Sequence, residues 1–312
     1  MLNAEQKKIS IIVPCYNEEG NIEVLYQQIS DVLPNYLIEY IFVDDNSNDK
    51  TLPILEALSI KDSRVNFISF SKNFGHQSAL RAGLEYATGD CAISMDADLQ
   101  HPPELLNTLI DKWKEGFDIV YTVRKDEENT SKFKKVTASL FYKIMNVLTD
   151  IEIKQGSADF RLVDKRIVEV LTKDITEYHL FYRGLISWIG YKQFGIEYVP
   201  NKRFSGTTKY SLKKMTNFAI DGITSFSIKP LKLGILLGLT LSLLSGLYGT
   251  YAIALAVFTD EAVKGWTSIM ISVLFIGGIN MILLGIIGEY VGKIYMQGKK
   301  RPYFLIKQTN IK

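Results

Sequence analysis

The sequence predicts an α/β domain built on a doubly wound, mostly parallel sheet, followed by juxtamembrane amphipathic helices and two transmembrane helices. Three observations carry that prediction. Short β-branched runs alternate with segments of helical periodicity over the first 125 residues. Carboxylates recur just after those runs, and charge almost vanishes between residues 233 and 288. The alternation is the βαβ rhythm of a parallel sheet, and the uncharged stretch marks a boundary between a soluble unit and something else.

The elements follow in order. KISIIVPCY is a β-branched run ended by Pro14, and NIEVLYQQISDVL carries apolar residues at helical spacing. YIFVDDNS reads as a second strand ending in acids, TLPILEALS as a helix and VNFISFS as a third strand. SALRAGLEYATG is a helix stopped by Gly89, and CAISMDADL is a strand. PELLNTLIDKWKEG is a helix opened by Pro102 and Pro103, and FDIVYTV is a further strand. Cys15 and Cys91 fall in or beside core strands, so buried free thiols are expected in place of a disulfide. The N-terminus is only briefly apolar, too short for a secretory leader, and the first domain is expected to stay in the cytoplasm.

Leu233 to Phe258 and Trp266 to Gly288 are free of charge. Each is longer than the roughly 20 residues a helix needs to cross the bilayer. Small residues at Gly234, Gly238, Ser242, Ser245 and Gly246 suit close helix packing in lipid and make a homo-oligomer reasonable. The connector holds Asp260, Glu261 and Lys264, whereas Lys229, Lys232, Lys293, Lys299, Lys300 and Arg301 flank the outer ends. Positive residues stay inside, so both termini are expected in the cytosol at an inner, cytoplasmic membrane. The expected organisation is a cytosolic domain over residues 1–230, a two-helix anchor over 231–293 and a basic cytosolic tail over 294–312. Segments near 131–149, with Phe133, Leu140 and Phe141, and near 210–229, with Leu212, Phe218 and Phe226, are expected to lie on the bilayer surface. Helices packed on a globular core would explain them as well. The formal net charge of +2 excludes a strongly basic nucleic-acid binder.

In doubly wound sheets ligands collect at the carboxyl ends of the strands. Tyr16, Asn17 and Glu18 fall there after the first strand, Asp44 and Asp45 after the second, Ser71 to Gly75 after the third, and Asp96 and Asp98 after the fourth. No GxGxxG follows the first strand and no GxxxxGK[ST] occurs, which leaves dinucleotide and P-loop readings without a phosphate cradle. An Asp-x-Asp at a strand end has a bland reading, in which one acid caps the next helix. Here a second acidic pair lies at a neighbouring strand end, and clustered carboxylates repel unless a positive group lies between them. A hard cation such as Mg²⁺ or Mn²⁺, shared with a substrate phosphate, resolves the repulsion. Gln100 adds a neutral oxygen. The pattern therefore asks for a phosphorylated substrate.

The ordered set VPCYNEEGNI, FVDDNSNDKT, KNFGHQSALRAGLEYATGD, MDADLQHPPE, QGSADFRL and RFSGTTKYSLKK, followed by two spans, resembles the polyprenyl-phosphate glycosyltransferases among the family 2 inverting glycosyltransferases. The likeness covers nearly the whole chain. It implies a GT-A type fold and transfer of a sugar from a nucleotide-sugar donor to a polyprenyl phosphate. UDP-glucose and undecaprenyl phosphate are the leading pair; UDP-N-acetylglucosamine, UDP-galactose, a 4-amino-arabinose donor and GDP-mannose remain open. It further implies a nucleotide site of Pro14, Tyr16, Asn17, Glu18, Asp44, Asp45, Asn73, Gln77 and Asp96, with metal ligands Asp96, Asp98 and Gln100. Arg124, Arg161, Arg203 and Lys209 take phosphate-binding positions by the same likeness, and Asp159, Arg203 and Lys209 catalytic ones. Because a phosphate monoester is already largely ionised near neutral pH, Asp159 hardly needs to act as a base, and positioning of the acceptor or of Arg161, or a structural pair with Arg161, stays open beside that role.

His76, His101 and His179 are too scattered for a zinc site, with His101 best placed to touch the metal motif. The aromatic cluster from Tyr178 to Tyr191 stays unassigned. A processive polysaccharide synthase would carry Gln-x-x-Arg-Trp and more spans, and neither is present. A silent membrane-tethered nucleotide-sugar sensor would have no use for the full set of acidic and basic positions.

Overall fold

The computed structural model describes residues 7–125, 146–149, 156–201, 222–258 and 265–311. Strand β1 (Lys8–Cys15) is buried along nearly its whole length, as a strand covered by helices on both faces must be. It pairs in parallel with β2 (Leu37–Asp44) and with β4 (Cys91–Ser94), and β2 pairs in parallel with β3 (Val65–Phe70). Helices α1 (Ile22–Val32), α2 (Thr51–Lys61) and α4 (Leu105–Lys114) bury their apolar stripes on one face of the sheet. Helix α3 (His76–Tyr86) packs on the other face. It sits close because Gly83 has no side chain: a Cβ there would come within 2.2 Å of Ile12 Cγ2.

Beyond β5 (Ile119–Arg124) the chain adds three strands that the sequence reading did not identify. β6 (Ser157–Asp164) runs antiparallel between β4 and β5, and β7 (Gln193–Tyr198) lies parallel to β5 at one edge. β8 (Ile306–Thr309) pairs antiparallel with β3 at the other edge, completing the order β7-β5-β6-β4-β1-β2-β3-β8. The stretch 294–312, expected as a tail, is therefore partly a strand of the main sheet. Phe304 stacks on Phe70 with ring centroids 5.1 Å apart, and Asn310 Oδ1 accepts from the Phe67 amide at 2.8 Å. Between β6 and β7 lie α5 (Lys165–Glu169), a π-helical turn over Val170–Asp174, and α6 (Tyr182–Trp188).

Helices α7 (Lys229–Phe258) and α8 (Trp266–Gly298) are long and apolar enough to cross a membrane over Lys229–Tyr251 and Phe275–Gly298. Of the expected small-residue contacts, Gly234 meets the partner helix, where a Cβ would lie 2.9 Å from Leu283 Cδ2. Gly238 and Gly246 have nothing within 4 Å. The last turns of α8 are tied to the soluble domain. Gln297 Nε2 donates to the Thr176 carbonyl at 2.8 Å and its Oε1 accepts from the Tyr178 amide at 2.6 Å, while the Tyr290 hydroxyl donates to the Ser227 carbonyl at 2.6 Å. Most of the two expected interfacial segments lies outside the described residues. Phe226, which is described, faces the domain instead of lipid: its ring lies 5.9 Å from that of Phe181, over Gly184. Cys15 and Cys91 are free and buried as expected, and burial pushes both thiols up.

Candidate active site

A cavity of about 980 Å³ opens at the carboxyl ends of the parallel strands. One wall comes from the strand ends, with Pro14, Tyr16, Glu18, Asp45, Asp96 and Asp98; the other comes from Tyr178 to Phe181, Arg183, Ser225 and Tyr303. The backbone is unusual at the strand-end loops. Asn17, Asn46 and Leu99 hold φ of 56°, 59° and 59°, a left-handed region that costs a side chain such as leucine most. Leu99 closes the turn after β4, which ends at Ser94, short of the strand expected over CAISMDADL.

Among the residues implied for the nucleotide, Pro14, Tyr16, Glu18, Asp45, Asn73, Gln77 and Asp96 line the cavity. Asn17 and Asp44 do not; they build the loops beneath it. The Asn17 amide donates to Ser47 Oγ at 2.9 Å and Asn17 Oδ1 accepts from the Asn48 amide at 2.8 Å, joining the loops after β1 and β2. Asp44, 1% exposed, accepts from the Ser47 amide and from Ser69 Oγ at 2.8 Å. Asp45 receives the amides of Phe74 and Gly75 at 2.6 and 2.9 Å, fixing the entry to α3, where Gly75 needs its φ of 93°. Burial raises the Asp45 carboxyl, and those two amides offset the rise only in part.

Asp96 and Asp98 both line the cavity, and neither caps α4, which has no side-chain cap. Asp98 Oδ1 accepts from the Gln100 amide at 3.1 Å, while Gln100 Oε1 accepts from Arg124 Nη1 at 3.4 Å. Gln100 and Arg124 are thus paired with each other outside the cavity lining. Behind Asp96 stands His101, whose Nε2 lies 3.2 Å from Asp96 Oδ2 and whose Nδ1 lies 2.9 Å from the Tyr198 hydroxyl. Burial pushes the Tyr198 hydroxyl up to about 12, so it stays protonated. The Asp96 carboxylate can only accept, so the proton on His101 Nε2 points at it, and a neutral ring then takes the Tyr198 hydroxyl proton at Nδ1. Burial alone would raise the Asp96 carboxyl; the His101 hydrogen bond and the nearby His76 and His101 rings outweigh it and hold the group below its usual range. Its side chain is 39% exposed. Among the described residues no group of three or more histidine, cysteine or carboxylate side chains gathers tightly enough to enclose an ion. The donor set fits a hard divalent cation that takes one or two carboxylates and completes its shell with phosphate and water.

Asp159 sits on β6 at the cavity floor, with its side chain 10% exposed. Arg161 Nη2 donates to its Oδ1 at 2.8 Å; Arg183 Nη2 donates to Oδ2 at 2.9 Å and Arg183 Nε to Oδ1 at 3.2 Å. Burial pushes the carboxyl up, but Arg183, Arg161 and His76 drive it far below the usual range. A carboxylate so held is a weak base at neutral pH. Arg161, 3% exposed, also donates to the Ala158 carbonyl at 2.9 Å and lies behind Asp159, not among the cavity-lining residues. Arg203 and Lys209 lie outside the described residues.

Sequence reasoning missed Arg183, His76 and Tyr303 as cavity residues. His76 Nε2 lies 3.8 Å from Asp96 Oδ1 and 3.7 Å from Asp159 Oδ2, bridging two carboxylates that are 63 positions apart in the chain. The signal for Arg183 was an arginine in an otherwise apolar turn, YRGLISW. Tyr303 had none, since it arrives with β8.

The model of "Glycosyl transferase family 2" matches residues 10–172 and that of "GtrB C-terminal hairpin" residues 229–294. The chain is 44% identical over 304 residues to the uncharacterized glycosyltransferase YkcC of Bacillus subtilis, covering 96% of this chain and 93% of that one. It is 40% identical over 302 residues to the bactoprenol glucosyl transferase of Shigella phage SfX, covering 96% and 99%. Among solved structures, mannosyl-3-phosphoglycerate synthase from Rubrobacter xylanophilus superposes with a TM-score of 0.49 at 14% identity, over 69% of this chain and 71% of that one. The chain belongs to glycosyl transferase family 2, with a catalytic sheet domain of the GT-A type and a GtrB-type C-terminal hairpin.

Proposed function

We propose that this enzyme transfers glucose from UDP-glucose to undecaprenyl phosphate with inversion, at the cytosolic face of the membrane. One observation carries the reading. A single cavity is lined on one side by the strand-end carboxylates Asp96 and Asp98 and on the other by Ser225 and Tyr303, which immediately flank the apolar hairpin. A water-soluble nucleotide sugar and a lipid-borne phosphate can meet there. The relative named as a bactoprenol glucosyl transferase supports the choice of acceptor and sugar.

In this reading Asp96 and Asp98 would hold Mg²⁺ or Mn²⁺, and the chemistry such an ion would supply there is compensation of the diphosphate charge. His101, held by Tyr198, keeps Asp96 oriented and ionised. The acceptor phosphate oxygen attacks the anomeric carbon as the bond to UDP breaks, so an α-linked donor gives a β-linked lipid phosphate sugar. The attacking oxygen is already anionic, and no proton has to be removed. Asp159 accordingly serves to position the guanidinium groups around it, and the hairpin raises the local concentration of an acceptor confined to the membrane.

The test is incubation of the detergent-purified chain with undecaprenyl phosphate, Mg²⁺ and radiolabelled UDP-glucose, with label counted in the organic phase. Lipid-soluble label from UDP-glucose is expected. Label only from UDP-N-acetylglucosamine, UDP-galactose or GDP-mannose would correct the sugar, and none from any donor would overturn the reading.

A further inference from the structure

We propose that Arg183 is a phosphate-contacting residue of the transfer site, an inference that rests on the glycosyl-transfer reading above. Three observations lead to it. Helix α6 buries Tyr182, Leu185 and Ile186, and this spacing places Arg183 on the face turned to the cavity. Gly184 lets Phe181 and Phe226 close on the helix, where any Cβ would meet their rings at 2.5 and 2.4 Å, so the position of α6 is fixed.

Charge supplies the second observation. Glu18, Asp45, Asp96, Asp98 and Asp159 line the cavity, and among the described residues Arg183 is its one lysine or arginine. Both substrates of the proposed reaction are anions. A wall of carboxylates repels them except where a cation intervenes.

The third is the geometry around Asp159. Its carboxylate faces two guanidinium groups, Arg161 at 2.8 Å and Arg183 at 2.9 Å. Arg161 is almost fully buried behind it, whereas Arg183, with its side chain 24% exposed, presents its guanidinium at the cavity surface. The two bonds from Arg183 to Asp159 fix the guanidinium plane, which is the preorganisation that makes arginine effective toward phosphate. The phosphate it meets can belong to the donor diphosphate or to the acceptor monophosphate.

Equilibrium binding to the full chain in detergent separates the sources. The probes are UDP, undecaprenyl phosphate and, as an uncharged control, undecaprenol; the variant is Arg183→Gln. Loss of about tenfold or more in affinity for one phosphate ligand is expected, with undecaprenol binding unchanged. A loss confined to undecaprenyl phosphate assigns the contact to the acceptor, and a loss confined to UDP assigns it to the donor. If both phosphate affinities stay within about twofold of wild type, the proposal is overturned, even when turnover falls. Should Arg183→Gln fail to fold, Arg183→Lys carries the same test, since it keeps the charge and loses the planar fork. Because the readout is binding, a wild-type chain that binds both ligands but transfers no sugar would overturn the reaction assignment and not this contact.

Discussion

Asp159 shows how far a single residue's chemistry follows from its neighbours. Flanked by Arg161 and Arg183 and only 10% exposed at the side chain, it holds two cations in a poorly solvated place. Asp159→Asn should destabilise the folded domain by roughly 3–5 kcal/mol, because the buried Arg161 and the partly exposed Arg183 lose their shared counter-charge; chemical denaturation in detergent measures this. The sign of the pH dependence follows from its depressed carboxyl. The stabilisation is complete above the unfolded value of about 3.9 and is lost as pH falls below it. Wild type should therefore lose stability more steeply than Asp159→Asn on acidification below about pH 4. A second expectation concerns His101, which touches Asp96 at 3.2 Å: His101→Ala should raise the Mg²⁺ concentration for half-maximal turnover by about tenfold, read from a metal titration. At this scale the sequence was legible where chemistry repeats locally. Asp96, Asp98 and Asp45 stood at strand ends and are found in the cavity. Arg161 and Asp44, expected at the ligand, are buried and bonded to their own neighbours, a burial the sequence did not show because it depends on strands that pair from far along the chain. Arg183 was passed over for the same reason.

The elements that escaped sequence reading are those whose stability is non-local. β6 is antiparallel and inserts between β4 and β5, so the order of strands in space departs from their order in the chain. β8 has four residues, IKQT, and no apolar alternation to announce it; its pairing with β3 joins Ile68 to Thr309. Parallel strands β1 to β4, by contrast, read as continuous apolar runs because both faces are covered. The strand β8 makes a prediction of its own. Truncation after Arg301 removes the strand, the Phe304 stack on Phe70 and Tyr303 from the cavity wall. The truncated chain should unfold at lower denaturant and bind UDP more weakly. Unchanged UDP affinity would mean that Tyr303 lines the cavity without touching the nucleotide.

For the whole molecule, the return of the chain to the sheet after α8 ties the two halves together. β3 precedes the hairpin and β8 follows it, and they are paired; if α7 and α8 both span, the Lys229 and Gly298 ends must lie on the same side of the membrane. Basic flanks argue that the sheet side is the cytosol. In cells carrying Asp260→Cys, a membrane-impermeant maleimide should label the connector from outside and leave Lys307→Cys unlabelled until the membrane is opened. The reverse pattern would place the catalytic domain outside. On the proposed reading the hairpin has a physical purpose, to keep a site for a soluble donor beside a lipid that cannot leave the bilayer. The proposed chemistry depends on the Asp96 and Asp98 carboxylates holding a divalent ion for the donor diphosphate. The most direct measurement is the rate of sugar transfer by wild type, Asp96→Asn and Asp98→Asn, first in chelator and then across a Mg²⁺ and Mn²⁺ titration. Chelated wild type is expected to be silent and to recover with metal, while both variants insert in the membrane and stay silent at every metal concentration. Full transfer in chelator, or wild-type rates in both variants, would contradict it.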